Sequence, residues 1–263
     1  GPEMDDYLFL SIQEVMVRRL QGVVPKDYNL RVIAMEDLVG DILTKAQQIV
    51  TDLDHGFIVS TCMEIVQPIR SSPLEVNRLC DHNGKIIGIG PRPGCPALNT
   101  QIQTIIAAAA GRPLVFIEDG SFTGGTMCDV IQRFKAADIK VAAVVLGFAF
   151  PGSKQRLEEV TTRETIHLIH ELNEPVDWVP DHDFFPFIPN CGRVVGCKTS
   201  ENSFHPFYNY EGWTFSVPYL TGYCPMKEWT GLDATPRQLL GITYFFFEST
   251  LRLFEKLEEL NGK

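Results

Sequence analysis

The stretch Leu114-Val115-Phe116-Ile117-Glu118-Asp119-Gly120-Ser121-Phe122-Thr123-Gly124-Gly125-Thr126-Met127 decides how this chain is read. Four apolar residues without a polar break mark a strand, of the kind that builds the parallel sheets of α/β proteins. Two carboxylates and a Gly/Thr loop follow, and Met127, Val130, Ile131 and Phe134 then recur at helical spacing. The order predicts a strand over 114–117, a loop from Glu118 and a helix from about Met127. A parallel strand that ends in a tight turn carries its side chains to the carboxyl edge of the sheet, where open α/β folds bind ligands. The helix behind the loop offers free N–H groups and the positive end of its dipole, and Gly124 and Gly125 let the backbone wrap a phosphate with no Cβ in the way. Thr123 and Thr126, with Ser121, add hydroxyls. An acidic pair would repel a phosphate lying directly on it, so Glu118 and Asp119 address something a sugar's length away, either ribose hydroxyls or a magnesium ion. Phosphate at one end and a diol at the other describe a ribose 5-phosphate. A Walker loop is excluded because no Gly-Lys-Ser/Thr is present, and a dinucleotide fingerprint because the acids precede the glycines.

The segments on either side repeat the alternation of strand and helix. Met35 to Leu53 spaces Leu38, Ile42, Ala46 and Ile49 as a helix, and Gly56 to Val66 reads as a buried strand. Lys85 to Gly90 is a second strand, broken by Pro91-Arg92-Pro93-Gly94, and Ala97 to Ala110 is a helix ending at Gly111. Val141 to Phe148 is a further strand, Leu157 to Leu172 a polar helix, and Val176 to Val179 a fifth strand. Alternating elements of this kind predict an α/β fold with a mostly parallel sheet. From Phe184 onward aromatics crowd the chain with little periodicity as far as Trp229. A last helix starts at Thr235-Pro236, with an apolar stripe through Leu239, Thr243, Phe246, Phe247, Thr250, Leu251, Phe254 and Leu257.

Composition narrows the classes. The 263 residues are 44% hydrophobic and 21% charged, which is globular and neither disordered, collagen-like nor a disulfide scaffold. Lys plus Arg number 23 against 33 Asp plus Glu, and a net charge of -10 opposes non-specific attraction to nucleic acid or to anionic membranes. Any anionic ligand must be held by local geometry. Seven scattered cysteines with no CxxC pair suggest neither disulfides nor zinc, and a reducing cytoplasm is the expected compartment. No apolar run approaches the length of a membrane span, no signal-like segment leads the chain, and Gly1-Pro2 looks like the remnant of a cleaved tag.

The segment from Leu114 to Thr126 resembles, without a gap, the phosphoribosyl-pyrophosphate signature of the type I phosphoribosyltransferases: an apolar strand, two acids, three variable residues and Thr-Gly-Gly-Thr. The resemblance implies that Glu118 and Asp119 bind the ribose hydroxyls, with Mg²⁺ as cofactor, and that Thr123, Gly124, Gly125 and Thr126 hold the 5-phosphate. It also implies a transfer in which a nitrogen base attacks C1 of phosphoribosyl pyrophosphate and pyrophosphate leaves. KIIGIGPRPGCPA is similar to the family's pyrophosphate loop, with Arg92 neutralising the leaving group and Gly94 bonding its oxygens. Prolines 91 and 93 remove two donors there, and Met63 to Ser72, with Arg70, Ser71 and Ser72, is a rival for the same loop.

Two departures stand out. The interval from Ala97 to Pro113 holds a helix where the family commonly carries a mobile hairpin, and Phe122 replaces the acid that acts on the base in the 6-oxopurine enzymes. A hypoxanthine or guanine acceptor is therefore disfavoured. Trp178 and Phe184 stand where the family stacks the nucleobase, and Tyr208, Tyr210, Trp213, Tyr219 and Tyr223 are rings that could form a hood over the site. His167 and His170, at i and i+3 of the expected helix, and Asp181-His182-Asp183 have metal-ligand character but no evident further ligand. The expected organisation is an N-terminal segment over 1–29, a type I phosphoribosyltransferase-like core over 30–195, and a C-terminal extension over 196–263 that caps the core or makes a homo-oligomer. The alternatives are a non-catalytic nucleotide sensor that keeps the pocket, and an enzyme of hydrolysis or base exchange.

Overall fold

The structure, a computed structural model, describes residues 6–22, 31, 33–62, 72–80, 86–92, 95–171, 194–195, 208–210, 213–215, 235–260 and 262. The chain divides into two compact units, one of Ile33–Arg78 with Ile89–Trp178 and one of Gly1–Val32, Leu79–Gly88 and Val179–Lys263.

The first of these units is built on a five-stranded sheet of β1 (Phe57–Ser60), β2 (Ser72–Pro73), β5 (Leu114–Ser121), β6 (Val141–Ala149) and β7 (Ile166–Leu168), in the order β2-β1-β5-β6-β7. Every pairing in it is parallel. The expected α/β class with a parallel sheet is what the chain forms, and 114–121 lies at the centre. Alternation along β5 and β6 sends Leu114, Phe116, Val144 and Leu146 into one apolar cluster and Val115, Ile117, Ala143 and Val145 into another. The first cluster is covered by α3 (Leu98–Ala109), α4 (Gly125–Ala136) and Leu157 of α5 (Pro151–Val160). The second is covered by α2 (Met35–Asp52) through Leu38, Ile42, Ala46 and Ile49, the row that the sequence spacing picks out. An uninterrupted LVFI is thus a strand apolar on both sides because helices lie on both sides. Phe116 and Phe134 meet inside with ring centroids 5.4 Å apart and planes tilted by 60°.

Several boundaries differ from the sequence expectation. The strand expected over Gly56 to Val66 is Phe57–Ser60, and positions 63–71 lie outside the described residues. Lys85 to Gly90 corresponds to β4 (Ile86–Pro91), which joins not the main sheet but a three-stranded one in the order β4-β3-β8, with β3 Val76–Cys80 and β8 Val194–Val195. A short apolar run reveals that a strand exists and not which neighbour it takes. The polar helix expected from Leu157 to Leu172 ends at Val160, and β7 occupies part of its span as the edge strand. His167 therefore sits on a strand and not on a helix face, which removes the i, i+3 pairing with His170. Val176 to Val179 lies outside the described residues.

In the other unit, α1 (Asp6–Gln21) and α6 (Pro236–Leu260) contribute buried Ile12, Met16, Phe245 and Leu253. Arg19 lies over the Phe245 ring at 5.9 Å, and Gln238 Nε2 donates to the Gly22 carbonyl at 3.2 Å. The expected start of α6 is present as a reciprocal cap, since Thr235 Oγ1 accepts from the Gln238 N–H at 3.4 Å and Gln238 Oε1 accepts from the Thr235 N–H at 2.9 Å. The buried row of α6 includes Phe245, Ser249 and Leu253, whereas Leu251 of the expected stripe is 59% exposed and Phe254 is also exposed. A helix with apolar residues around most of its circumference does not fix its packed face by spacing. Among the described residues of the aromatic stretch, β9 (Tyr208–Tyr210) pairs antiparallel with β10 (Trp213–Phe215).

Truncating Phe134, which is wholly buried, to Ala removes a ring from the sheet's larger cluster and should cost about 3–5 kcal/mol in chemical denaturation. A second expectation concerns pH. Partial burial, and to a smaller extent the Lys45 ammonium, hold the His167 imidazole below its ordinary 6.5. The unfolded chain then binds the proton at a higher pH than the folded one, so stability is full above the unfolded value and is lost as pH falls toward the folded value. Denaturant midpoints should fall on acidification below about pH 6.5, and His167→Gln should flatten that part of the profile.

Candidate functional site

The strand expected to stop at Ile117 runs four residues further. Register continues through Glu118↔Leu146, Gly120↔Phe148 and Ser121↔Ala149, so Glu118 and Asp119 belong to β5 itself and not to a loop. Side chains alternate along a strand, which puts Glu118 in step with Leu114 and Phe116 and Asp119 in step with Val115 and Ile117. Asp119 is buried, at 9% exposure, and its Oδ1 accepts the Gly120 N–H at 2.8 Å; Glu118 is half-buried. Packing is tight here. A Cβ on Gly147 would fall against the Asp119 carbonyl oxygen and 2.7 Å from Leu38 Cδ1, so the backbone beside the second acid is held by a position that admits only glycine without movement.

The loop that follows is anchored at its base. Ser153, near the start of α5, donates through Oγ to Ser121 Oγ at 2.6 Å, with both residues buried, and the Phe150 N–H donates to the Ser121 carbonyl at 3.1 Å. Ser121 therefore serves inside this anchor. Phe122 packs edge-on against Phe150 with centroids 4.5 Å apart. Gly124 is the N-cap of α4 with φ 74°, a left-handed conformation that favours glycine, and a Cβ there would lie 3.1 Å from the Ser153 carbonyl oxygen. Its own carbonyl accepts the Cys128 N–H at 2.9 Å. Gly125 is the first helical residue, and its N–H meets Thr123 Oγ1 at 3.5 Å. Thr123 is exposed, while Gly125 and Thr126 are half-buried. Glu118, Asp119 and Thr123 to Thr126 are thus brought to one end of the central strand, at the opening turn of α4.

Other expected residues fall elsewhere. Arg92, read as the cation for pyrophosphate, follows β4 outside the main sheet and pairs through Nε with Glu75 Oε2 at 3.4 Å, its side chain 17% exposed. The Arg92 N–H also donates to the Glu75 carbonyl, and the Gln101 side chain brackets the same residue, its Oε1 accepting the Glu75 N–H at 2.8 Å and its Nε2 donating to the Glu75 carbonyl at 3.2 Å. Nearby Cys95 has its thiol pushed up by burial and by Glu75, with Arg92 acting the other way. Gly94, Trp178, Phe184, Tyr219 and Tyr223 lie outside the described residues, as do Asp181-His182-Asp183. Tyr208 and Tyr210 are on β9 and Trp213 on β10.

Two features at this end of the sheet carried no weight in the sequence. Thr61, just past β1, donates its N–H to the Ile117 carbonyl at 3.2 Å, which sets the end of β1 beside Glu118. Arg156, on α5, brings its guanidinium to the loop: a Cβ on Gly125 would lie 3.4 Å from Arg156 Nη1 and 3.6 Å from Thr123 Oγ1. Within KQRLEE on a polar helix, such an arginine cannot be told from a solvated surface residue. Among the described residues no group of three or more His, Cys, Asp or Glu side chains could hold a metal, and no helix is long and apolar enough to cross a membrane.

No family model and no curated protein matches the chain. Among solved structures it is similar to the crystal structure of TT1426 from Thermus thermophilus, with 14% identity and a TM-score of 0.32, over 54% of this chain and 86% of that one.

Gly147→Ala should lower the thermal midpoint clearly, because a backbone oxygen occupies the place of the new methyl. Gly40→Ala, in the exposed middle of α2 with nothing within 4 Å, should instead gain about 0.5–1 kcal/mol. Equal responses of the two variants in thermal melts would show that the strand end is not so constrained.

Proposed function

We propose that this chain is a phosphoribosyltransferase-like enzyme of the type I kind, which binds phosphoribosyl pyrophosphate or a ribose 5-phosphate nucleotide and transfers the phosphoribosyl group to or from a nitrogen base. The observation that carries the reading is the placement of Glu118 and Asp119 at the end of the central parallel strand, followed at once by an αL glycine and the N-terminus of α4. That order supports a sugar diol at the acids and its 5-phosphate at the N–H groups of Gly125 and Thr126. A nitrogen nucleophile would attack C1 while pyrophosphate leaves, and the positive charge that develops on the ribose ring is favoured by the nearby carboxylates.

Magnesium fits this donor set. Glu118, half-buried at the strand end, would offer it hard oxygen ligands, while Asp119, on the strand's other face with Oδ1 accepting the Gly120 N–H, would act on it through water. When bound, the ion would supply positive charge to the departing pyrophosphate.

The sheet order favours the rival pyrophosphate loop. β1 is the neighbour of β5, and Thr61 and Cys62 close it beside the Glu118 end of that strand; the rival loop, Met63 to Ser72 with Arg70, follows them directly in sequence, with 63–71 outside the described residues. Arg92 leaves from another sheet with its charge already offset by Glu75. With the loop assigned to 63–72, strands β3 and β4 occupy the place in the chain where the family carries its hairpin. A non-catalytic sensor is the second reading, favoured if the segment with Arg92 is the pyrophosphate loop, because that arginine is already paired with Glu75. The expected homo-oligomer rests on α6, whose Tyr244 is 64% exposed.

The test is magnesium-dependent release of pyrophosphate when the protein meets phosphoribosyl pyrophosphate and a panel of nitrogen bases. Release with one base and its loss in Glu118→Gln/Asp119→Asn support transfer; tight binding of the sugar phosphate without release supports the sensor. Gly124→Ala should weaken binding while leaving most of the fold in place, since the left-handed cap costs an alanine about 1–2 kcal/mol. Unchanged affinity for ribose 5-phosphate in that variant would count against the loop as phosphate holder.

A further inference from the structure

We propose that Arg156 is the cation of the phosphate loop and makes it select the phosphorylated end of a sugar over the free hydroxyl; this rests on the phosphoribosyl reading of the site and adds to it a residue outside the signature.

The chain has an excess of ten negative charges, so a dianionic ligand approaches against an unfavourable mean field, and a local cation is needed where it docks. Backbone N–H groups at a helix start supply partial charge only. Glu118 and Asp119, a few residues upstream, add negative charge close by. Arg156 supplies a full charge at the loop. Its Nη1 is 3.4 Å and its Cζ 3.8 Å from the point a Cβ on Gly125 would occupy, and the Thr123 hydroxyl oxygen is 3.6 Å from that same point. Gly125 leaves this point open, so one small volume is bordered by a guanidinium, a hydroxyl and the first turn of α4. A guanidinium offers paired donors that match two phosphate oxygens, which an amide or ammonium does not.

The arginine is also held in place. Cys128 Sγ, in the first turn of α4, donates to the Arg156 carbonyl at 3.5 Å, and burial raises the thiol so that it stays a donor. Leu157, the next residue, is fully buried in the larger cluster, and the Ser153–Ser121 bond fixes the start of the same helix to the end of β5. The helix that carries the charge is thereby tied to both sides of the loop. The side chain itself is exposed, and among the described residues no carboxylate lies within ion-pair distance of it.

Calorimetric titration of the full chain with ribose 5-phosphate, ribose and inorganic phosphate, for the wild type, Arg156→Gln and Arg156→Lys, decides the matter. The expected result is a loss of about tenfold or more in ribose 5-phosphate affinity for Arg156→Gln, partial retention in Arg156→Lys and unchanged melting of both, since the side chain is exposed. If the wild type binds ribose 5-phosphate and Arg156→Gln binds it equally well, the role of Arg156 is overturned and the phosphoribosyl reading stands. If the wild type ignores ribose 5-phosphate but binds inorganic phosphate in an Arg156-dependent way, the sugar reading falls and the anion role stands. Binding of neither by the wild type overturns both.

Discussion

Burial of the central strand on both faces is the constraint on which the rest of the first unit depends. Leu114, Val115, Phe116 and Ile117 are all fully buried, and no single layer of helices can bury a strand from two sides. α2 must cover one face while α3, α4 and α5 cover the other, and crossovers of that kind require parallel neighbours. Once the apolar run is spent, the same strand must end at a sheet edge flanked by helix N-termini. The polar residues of the chain's most informative stretch are delivered there because the preceding ones cannot be anywhere else.

Close packing at that edge carries the geometry onward to the site. Gly147 admits the Asp119 carbonyl against its Cα, Gly124 takes a left-handed turn against Ser153, and a buried serine pair joins the strand end to α5. These are small residues placed where backbone meets backbone, and each fixes an element that bears a charge: the acids on β5, the N–H groups of α4 and the guanidinium on α5. Rigidity of this kind keeps charged groups at fixed separations.

Electrostatics explains why two arginines take different parts. Arg92 is folded against Glu75 and largely covered, whereas Arg156, on α5, stands exposed beside the first turn of α4. A covered ion pair has already exchanged its water for a partner and has little charge left to offer a ligand. An exposed guanidinium with no carboxylate of the described residues at ion-pair distance keeps its charge available.

The sequence by itself determined the parallel α/β class, the helical row of Leu38, Ile42, Ala46 and Ile49, the cap at Thr235 and the acid-loop-helix order from Glu118 to Thr126, because each rests on local spacing or on side chains that bond within one turn. Tertiary structure alone decided that β5 extends through the acids, since Leu146, Phe148 and Ala149 continue the pairing that local propensity around Gly120 would end. It also decided that β4 leaves the main sheet with Arg92, that His167 rides a strand, and that Leu251 of α6 faces outward. Arg156 reaches Gly125 from 31 positions away, through the packing of α5 on α4, and no periodicity along the chain records a contact of that separation.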